Sequence, residues 1–220
     1  MNGTVLTKTY KDLPFCEKEI LRYSGCKVPD ENVTGLMDFA ISGIKNKLSY
    51  RVCYIKLSTS VKEDVCDFGL FSVKSGKLSS SLEGCRETVL FAATIGAEVD
   101  RLISGYGRIS PSKALMFQAI GAERIETLCD FFCEEFAENN NCFLTQRFSP
   151  GYGDLPLETQ KEIFRVLNCS KHIGLTLNDS LLMSPTKSVT AFAGITDKRV
   201  KNLNKCLTCD KNDCIYRGVK

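Results

Sequence analysis

Apolar residues recur along this chain at two different periods, and the changes between them mark out its elements. From Pro29 to about Asn46 the apolar positions Val33, Leu36, Met37, Ala40, Ile41 and Ile44 fall three or four apart, which lines one face of a helix. Residues 14 to 24 predict a shorter helix, stopped by Gly25. Ser110-Pro111 opens a long helix, with serine as N-cap and proline in the first turn, where a backbone N–H is dispensable. Its stripe is Leu115, Met116, Ile120, Ile125, Leu128, Phe132 and Phe136, and the polar run Glu138-Asn139-Asn140-Asn141 ends it. Cys129 and Cys133, four apart on that stripe, read as core residues. Ala97 to Ser104 and Pro156 to Leu167 predict further helices. Arg51–Leu57 and Ser188–Gly194 alternate as strands do, Val65–Val73 does so with Gly69 as a weak point, and Cys142–Gln146 is a shorter candidate. Lys74-Ser75-Gly76-Lys77 reads as a turn. Glu87–Thr94 is continuously apolar, as a strand buried on both faces should be. Strands and helices without regular βαβ alternation predict an α+β fold.

Composition narrows the classes of function. The chain has 220 residues, 43% hydrophobic and 25% charged, with a net charge of +3, enough for one large domain or two small ones. Basic residues are scattered, so no nucleic-acid stripe is expected. No apolar run reaches membrane-spanning length, and the N-terminus lacks a basic segment before an apolar one, so the expected compartment is the cytoplasm. Twelve cysteines are many, but a chain of this length with this many core residues needs no disulfide framework, and most are expected to be reduced. The single histidine, His172, reads as a surface residue just beyond a helix end, and its isolation argues against a His-based triad. Cys206, Cys209 and Cys214 form a Cys-x2-Cys-x4-Cys tail whose first pair has the spacing of zinc or iron–sulfur ligands. A fourth ligand would have to come from elsewhere, and a reduced tail or a redox disulfide are the alternatives.

The segment richest in chemistry is Arg147-Phe148-Ser149-Pro150-Gly151-Tyr152-Gly153-Asp154-Leu155-Pro156. Its prolines stiffen a loop whose glycines allow close backbone approach. Arg147 leads into it, and the planar fork of arginine suits a carboxylate. A surface turn with a solvated arginine is the plain alternative. The segment resembles the Arg-x-x-Pro-Gly-Tyr signature of the activation domain of vitamin B12-dependent methionine synthase. Further segments match in the same order: Ala93-Thr94-Ile95-Gly96, Gly121-Ala122-Glu123-Arg124-Ile125-Glu126, Lys171 through Ser180 with the pattern Lys-x-x-Gly-x-x-Leu-x-x-Ser, then Met183, Pro185 and Lys187-Ser188-Val189. The likeness covers roughly residues 85 to 195 well and the first 80 weakly.

The resemblance implies an α+β fold with a twisted antiparallel β-sheet, flanking helices and the long helix packed on the sheet. It divides the chain into residues 1–80, an N-terminal part of the same domain, 81–200, an S-adenosylmethionine-binding core, and 201–220, the cysteine-rich tail. It implies an activation subunit, not an autonomous enzyme, that supports reductive methylation of cob(II)alamin. The corrinoid would sit on a separate methionine synthase chain, and a flavodoxin- or ferredoxin-like protein would donate the electron. On this reading Arg147 holds the methionyl carboxylate, and Ser149 and Gly151 contact the ligand through their backbone. Tyr152 faces the corrin, and Glu126 offers a carboxylate to the sulfonium; a solvated helix face is the alternative for Glu126. The chain departs from the pattern in three places. Leu157-Glu158-Thr159-Gln160 lacks the family histidine, Thr196 through Lys201 lacks its tyrosine pair, and only Glu17 or Glu19 stands in for its N-terminal acid. Two other readings are a regulatory or repair module for another corrinoid methyltransferase and a small metal-binding protein built on the cysteine tail.

Overall fold

Every residue after Glu87 in the strand Glu87–Thr94 is buried, because both faces of the sheet it centres are covered. The computed structural model describes residues 3–198. Its elements run β1 (Leu6–Tyr10), α1 (Glu17–Ser24), α2 (Glu31–Ile44), β2 (Tyr50–Ser58), β3 (Ser60–Lys62), β4 (Val65–Asp67), β5 (Ser72–Lys74), α3 (Gly76–Ser81), β6 (Glu87–Thr94) and α4 (Glu98–Tyr106). They continue with α5 (Pro111–Asn139), β7 (Phe143–Leu144), α6 (Thr159–Leu167), α7 (Cys169–Ile173), β8 (Thr176–Leu177), β9 (Met183–Ser184) and β10 (Ser188–Thr196). The main sheet has the order β1-β2-β6-β10-β7 and every pairing in it is antiparallel. The α+β fold with an antiparallel sheet is as expected.

Alternation along the strands sorts side chains onto two cores. Val52, Val89, Phe91, Ala93, Ala191 and Ala193 face α1, α2, α4 and α5. Cys53, Ile55, Leu57, Leu90, Ala92 and Phe192 face α3, α6, α7 and the small β3-β4-β5 sheet. The long helix lies over the first core with Met116, Ile120, Ile125, Leu128, Phe132 and Phe136 buried, but Leu115 is 53% exposed and Ala114 and Phe117 take its place. No helix among the described residues is long and apolar enough to cross a membrane.

Several local expectations are corrected. Lys74–Lys77 is not a free turn: Ser75 Oγ accepts from Leu78 N at 3.1 Å and starts α3. Val65–Val73 is two strands, broken at Gly69 with φ +76°, where Gly69 N donates to Asp67 Oδ1 at 2.9 Å. Cys142–Gln146 shrinks to the two residues of β7. Helix α6 begins at Thr159. Lys171 and His172 lie within α7 instead of beyond a helix end. Ser110 occupies the N-cap of α5, but its side chain makes no capping bond. Strand β1 lacks the alternation that would announce it, because it is a polar edge strand.

Glu123 and Arg124, 1% and 0% exposed, form a buried ion pair on α5. Glu123 Oε1 also accepts from Cys16 N at 3.1 Å and Thr127 Oγ1 at 2.8 Å. Arg124 donates to the carbonyls of Leu13 at 2.8 Å and Pro14 at 2.5 Å, and its guanidinium carbon lies 4.0 Å from the centre of the Phe15 ring. The pair thus clamps the segment between β1 and α1 onto α5. Removing one member leaves the other charge buried. Glu123→Leu is expected to cost about 3–5 kcal/mol in urea unfolding, and the double replacement Glu123→Leu, Arg124→Met to cost distinctly less. Equal losses for the single and double variants would contradict this account.

Candidate ligand-binding site

The site forms where the chain leaves β7 at the edge of the sheet. Two backbone bonds, Phe148 N to Phe192 O and Phe192 N to Phe148 O, both 2.9 Å, pin the loop to β10. Alternation at that edge sends neighbouring side chains to opposite faces. Phe148 joins the core with Phe192 and Leu155, while Arg147 turns to α5.

Arg147, whose side chain is 15% exposed, reaches two carboxylates one helical turn apart. Its Nη2 lies 2.7 Å from Glu126 Oε2 and its Nη1 bonds Asp130 Oδ1. Cys129 and Cys133 lie beneath it on the same helix face. Burial works against the guanidinium charge, but Cys129, Asp130, Glu126 and Cys133 outweigh it, so Arg147 holds its proton more firmly than a free arginine. From α1, Tyr23 feels the charge of Glu126; burial first, then that carboxylate, raises its phenol. The Arg22 guanidinium lies 4.1 Å from the centre of the Tyr23 ring and pairs with Glu19 at 2.6 Å. Of the two N-terminal acids, Glu19 therefore stands near this cluster, and Glu17 lies exposed in the first turn of α1.

Beyond Arg147 the loop folds on itself. Gly151 N donates to Leu155 O at 2.9 Å, Tyr152 N to Ser149 O at 3.1 Å and Leu155 N to Tyr152 O at 3.2 Å. The Gly151 amide is thus committed within the loop. The Ser149 amide and the Gly151 carbonyl make no hydrogen bond with the described residues. Gly151 has φ +82°, a backbone conformation that residues with a side chain rarely adopt, and a Cβ there would stand 3.2 Å from Leu157 Cδ1, which would have to shift by a few tenths of an ångström. Tyr152 is 59% exposed, its ring edge-on to Phe148 at 5.4 Å.

The structure therefore brings Arg147 and Glu126 into direct contact, with Ser149, Gly151 and Tyr152 in the adjoining loop. Sequence reasoning missed Asp130 and Tyr23. Asp130 was accessible to it, being four residues after Glu126 and so on the same helix face. His172 is half-buried on α7, over the opposite face of the sheet. Cys206, Cys209 and Cys214 lie outside the described residues. Among the described residues no three His, Cys, Asp or Glu side chains are grouped to hold a metal.

A family model described as vitamin B12 dependent methionine synthase, activation domain, matches residues 87–203, a stretch from β6 through β10 that includes Glu126, Asp130, Arg147 and Tyr152. The crystal structure of the MetH reactivation domain bound to AdoHcy is similar in fold, with a TM-score of 0.65 and 16% sequence identity over 90% of this chain and 80% of that one. No curated protein matches the sequence.

Burial, opposed by Arg147, pushes the Cys133 thiol from its ordinary 9.0 up to about 11. A thiol raised on folding lends stability that is complete below its ordinary range and is lost as pH rises through about 11. The urea midpoint of the wild type should therefore fall relative to that of Cys133→Ala between about pH 9 and about pH 11. A difference between the two proteins that stays constant over that window would contradict the assignment.

Proposed function

We propose that this chain, which belongs to the family of vitamin B12 dependent methionine synthase activation domains, binds S-adenosylmethionine at the Arg147 loop and serves the reactivation of a methionine synthase corrinoid. The observation that carries the reading is the contact of Arg147 with Glu126 and Asp130 beside a loop that turns through a left-handed glycine at Gly151.

The residues present fit such a ligand. The guanidinium of Arg147 is held charged and in a fixed orientation, ready to take a carboxylate in two parallel bonds. Glu126 and Asp130 place negative charge where a ligand ammonium and sulfonium need it, and in the free chain they neutralise Arg147. The Ser149 amide and the Gly151 carbonyl supply one donor and one acceptor along the loop. When bound, S-adenosylmethionine supplies an electrophilic methyl group. The exposed ring of Tyr152 marks the side open to a partner. That partner is a cobalamin-binding methionine synthase chain, which carries the corrinoid, and a flavodoxin- or ferredoxin-like protein supplies the electron. The absence of the family tyrosines near β10 means that fewer aromatic contacts reach the adenosine from that strand, so affinity rests more heavily on the charged end of the ligand.

Calorimetric titration with S-adenosylmethionine tests this. A hydrogen bond to a charged group contributes roughly 1.5–3 kcal/mol, so Arg147→Ala should weaken binding by roughly one to two powers of ten. Arg147→Lys should recover only part of that loss, because an ammonium lacks the planar fork. No binding by the wild type at millimolar ligand, with or without the partner, would overturn the proposal. Tyr152→Phe should leave titration nearly unchanged while altering the rate at which a synthase trapped as cob(II)alamin recovers in the presence of a reductant. Equal effects on both measurements would place Tyr152 in the ligand site instead.

A further inference from the structure

The far end of the loop is tied to a different element from its start. The Asp154 carboxylate accepts from Ser75 Oγ at 2.5 Å and from Gly76 N at 2.8 Å, and Lys77 N lies 3.3 Å from each of its oxygens. Ser75 is the N-cap of α3, and its hydroxyl accepts from Leu78 N while donating to Asp154, so one oxygen joins the helix to the loop. Ser75 is itself held from the other side, its amide donating to Asp64 O at 2.7 Å. The aliphatic stem of Lys77 lies across Gly153. A Cβ at Gly153 would stand 2.7 Å from Lys77 Cδ, and φ there is +64°. The Ser75 hydroxyl, and after it the Lys77 and Gly76 amides, hold the Asp154 carboxyl below the usual carboxylate range.

The geometry points to Asp154 as a positioning residue for the ligand loop. The loop enters through the Phe148–Phe192 bonds and leaves through Asp154. Between these anchors the Ser149 amide and the Gly151 carbonyl make no hydrogen bond with the described residues and Tyr152 is 59% exposed, so their placement relative to Arg147 depends on both ends being fixed. Asp154 touches no ligand group and acts through the loop. A flexible loop must be ordered each time ligand binds, and that cost is subtracted from affinity. The inference rests on the ligand reading above, but the lock has a readout of its own.

The test compares wild type, Asp154→Ala and Asp154→Asn by amide hydrogen exchange without ligand and by titration with S-adenosylmethionine. In Asp154→Ala the Gly151 and Leu155 amides should exchange at least about tenfold faster, while the β6 amides keep their protection. Affinity should fall about tenfold, the equivalent of one charge-assisted hydrogen bond. Asp154→Asn keeps an acceptor for the Ser75 hydroxyl and should restore part of both. A general loss of structure would instead speed exchange in β6 as well, and would overturn the positioning role. Unchanged loop exchange overturns the lock. Faster loop exchange with unchanged affinity overturns its role in binding. A wild type that binds no S-adenosylmethionine overturns the ligand reading and this inference together, whereas wild-type binding matched by Asp154→Ala overturns this inference alone.

Discussion

The buried pair of Glu123 and Arg124 is the constraint on which the rest of the molecule depends. Two adjacent charges in the interior are tolerable only if their remaining donors and acceptors are satisfied. Here they are satisfied largely by the backbone of residues 13–16. The chain between β1 and α1 is therefore fixed against α5, and α1 is laid along the long helix. Tyr23 comes to Glu126 as a result. The same helix face continues from Glu123 through Glu126 and Thr127 to Asp130, so one polar stripe serves first as a structural clamp and then as a wall of the candidate site.

The sheet contributes an edge and two faces. Because β6 and β10 are covered on both sides, the polar loop approaches this core around the β7 edge. Adjacent residues there part company: Arg147 reaches the α5 face and Phe148 the opposite one. The loop is thereby gripped from both sides of the sheet, by charge on one and by aromatic packing on the other. Arg147 is nearly buried yet keeps its charge, because the carboxylates of Glu126 and Asp130 lie against it.

The sequence by itself determined the elements whose burial is uniform along one face. Strand β6, helix α5 and strand β10 were legible within a residue or two, because their apolar period follows directly from what each face touches. The Gly-Pro loop and its arginine were legible as chemistry, and the order of motifs led to the family. Strand β1 was not legible, since a polar edge strand is held by a neighbour's hydrogen bonds and not by its own pattern. Nor was α3, whose capping serine looks like any turn residue until the helix is present.

Only the tertiary structure decided what each chemical group meets. Arg147 and Asp130 are 17 residues apart, and Asp154 and Ser75 are 79 apart. Periodicity states which face of an element is buried, but not which other face lies against it. An arginine looks the same in sequence whether water, a ligand or two carboxylates hold it. The packing of α5 across the sheet and of α3 beneath the loop settled those partners, because contacts between distant segments form only when whole elements have docked.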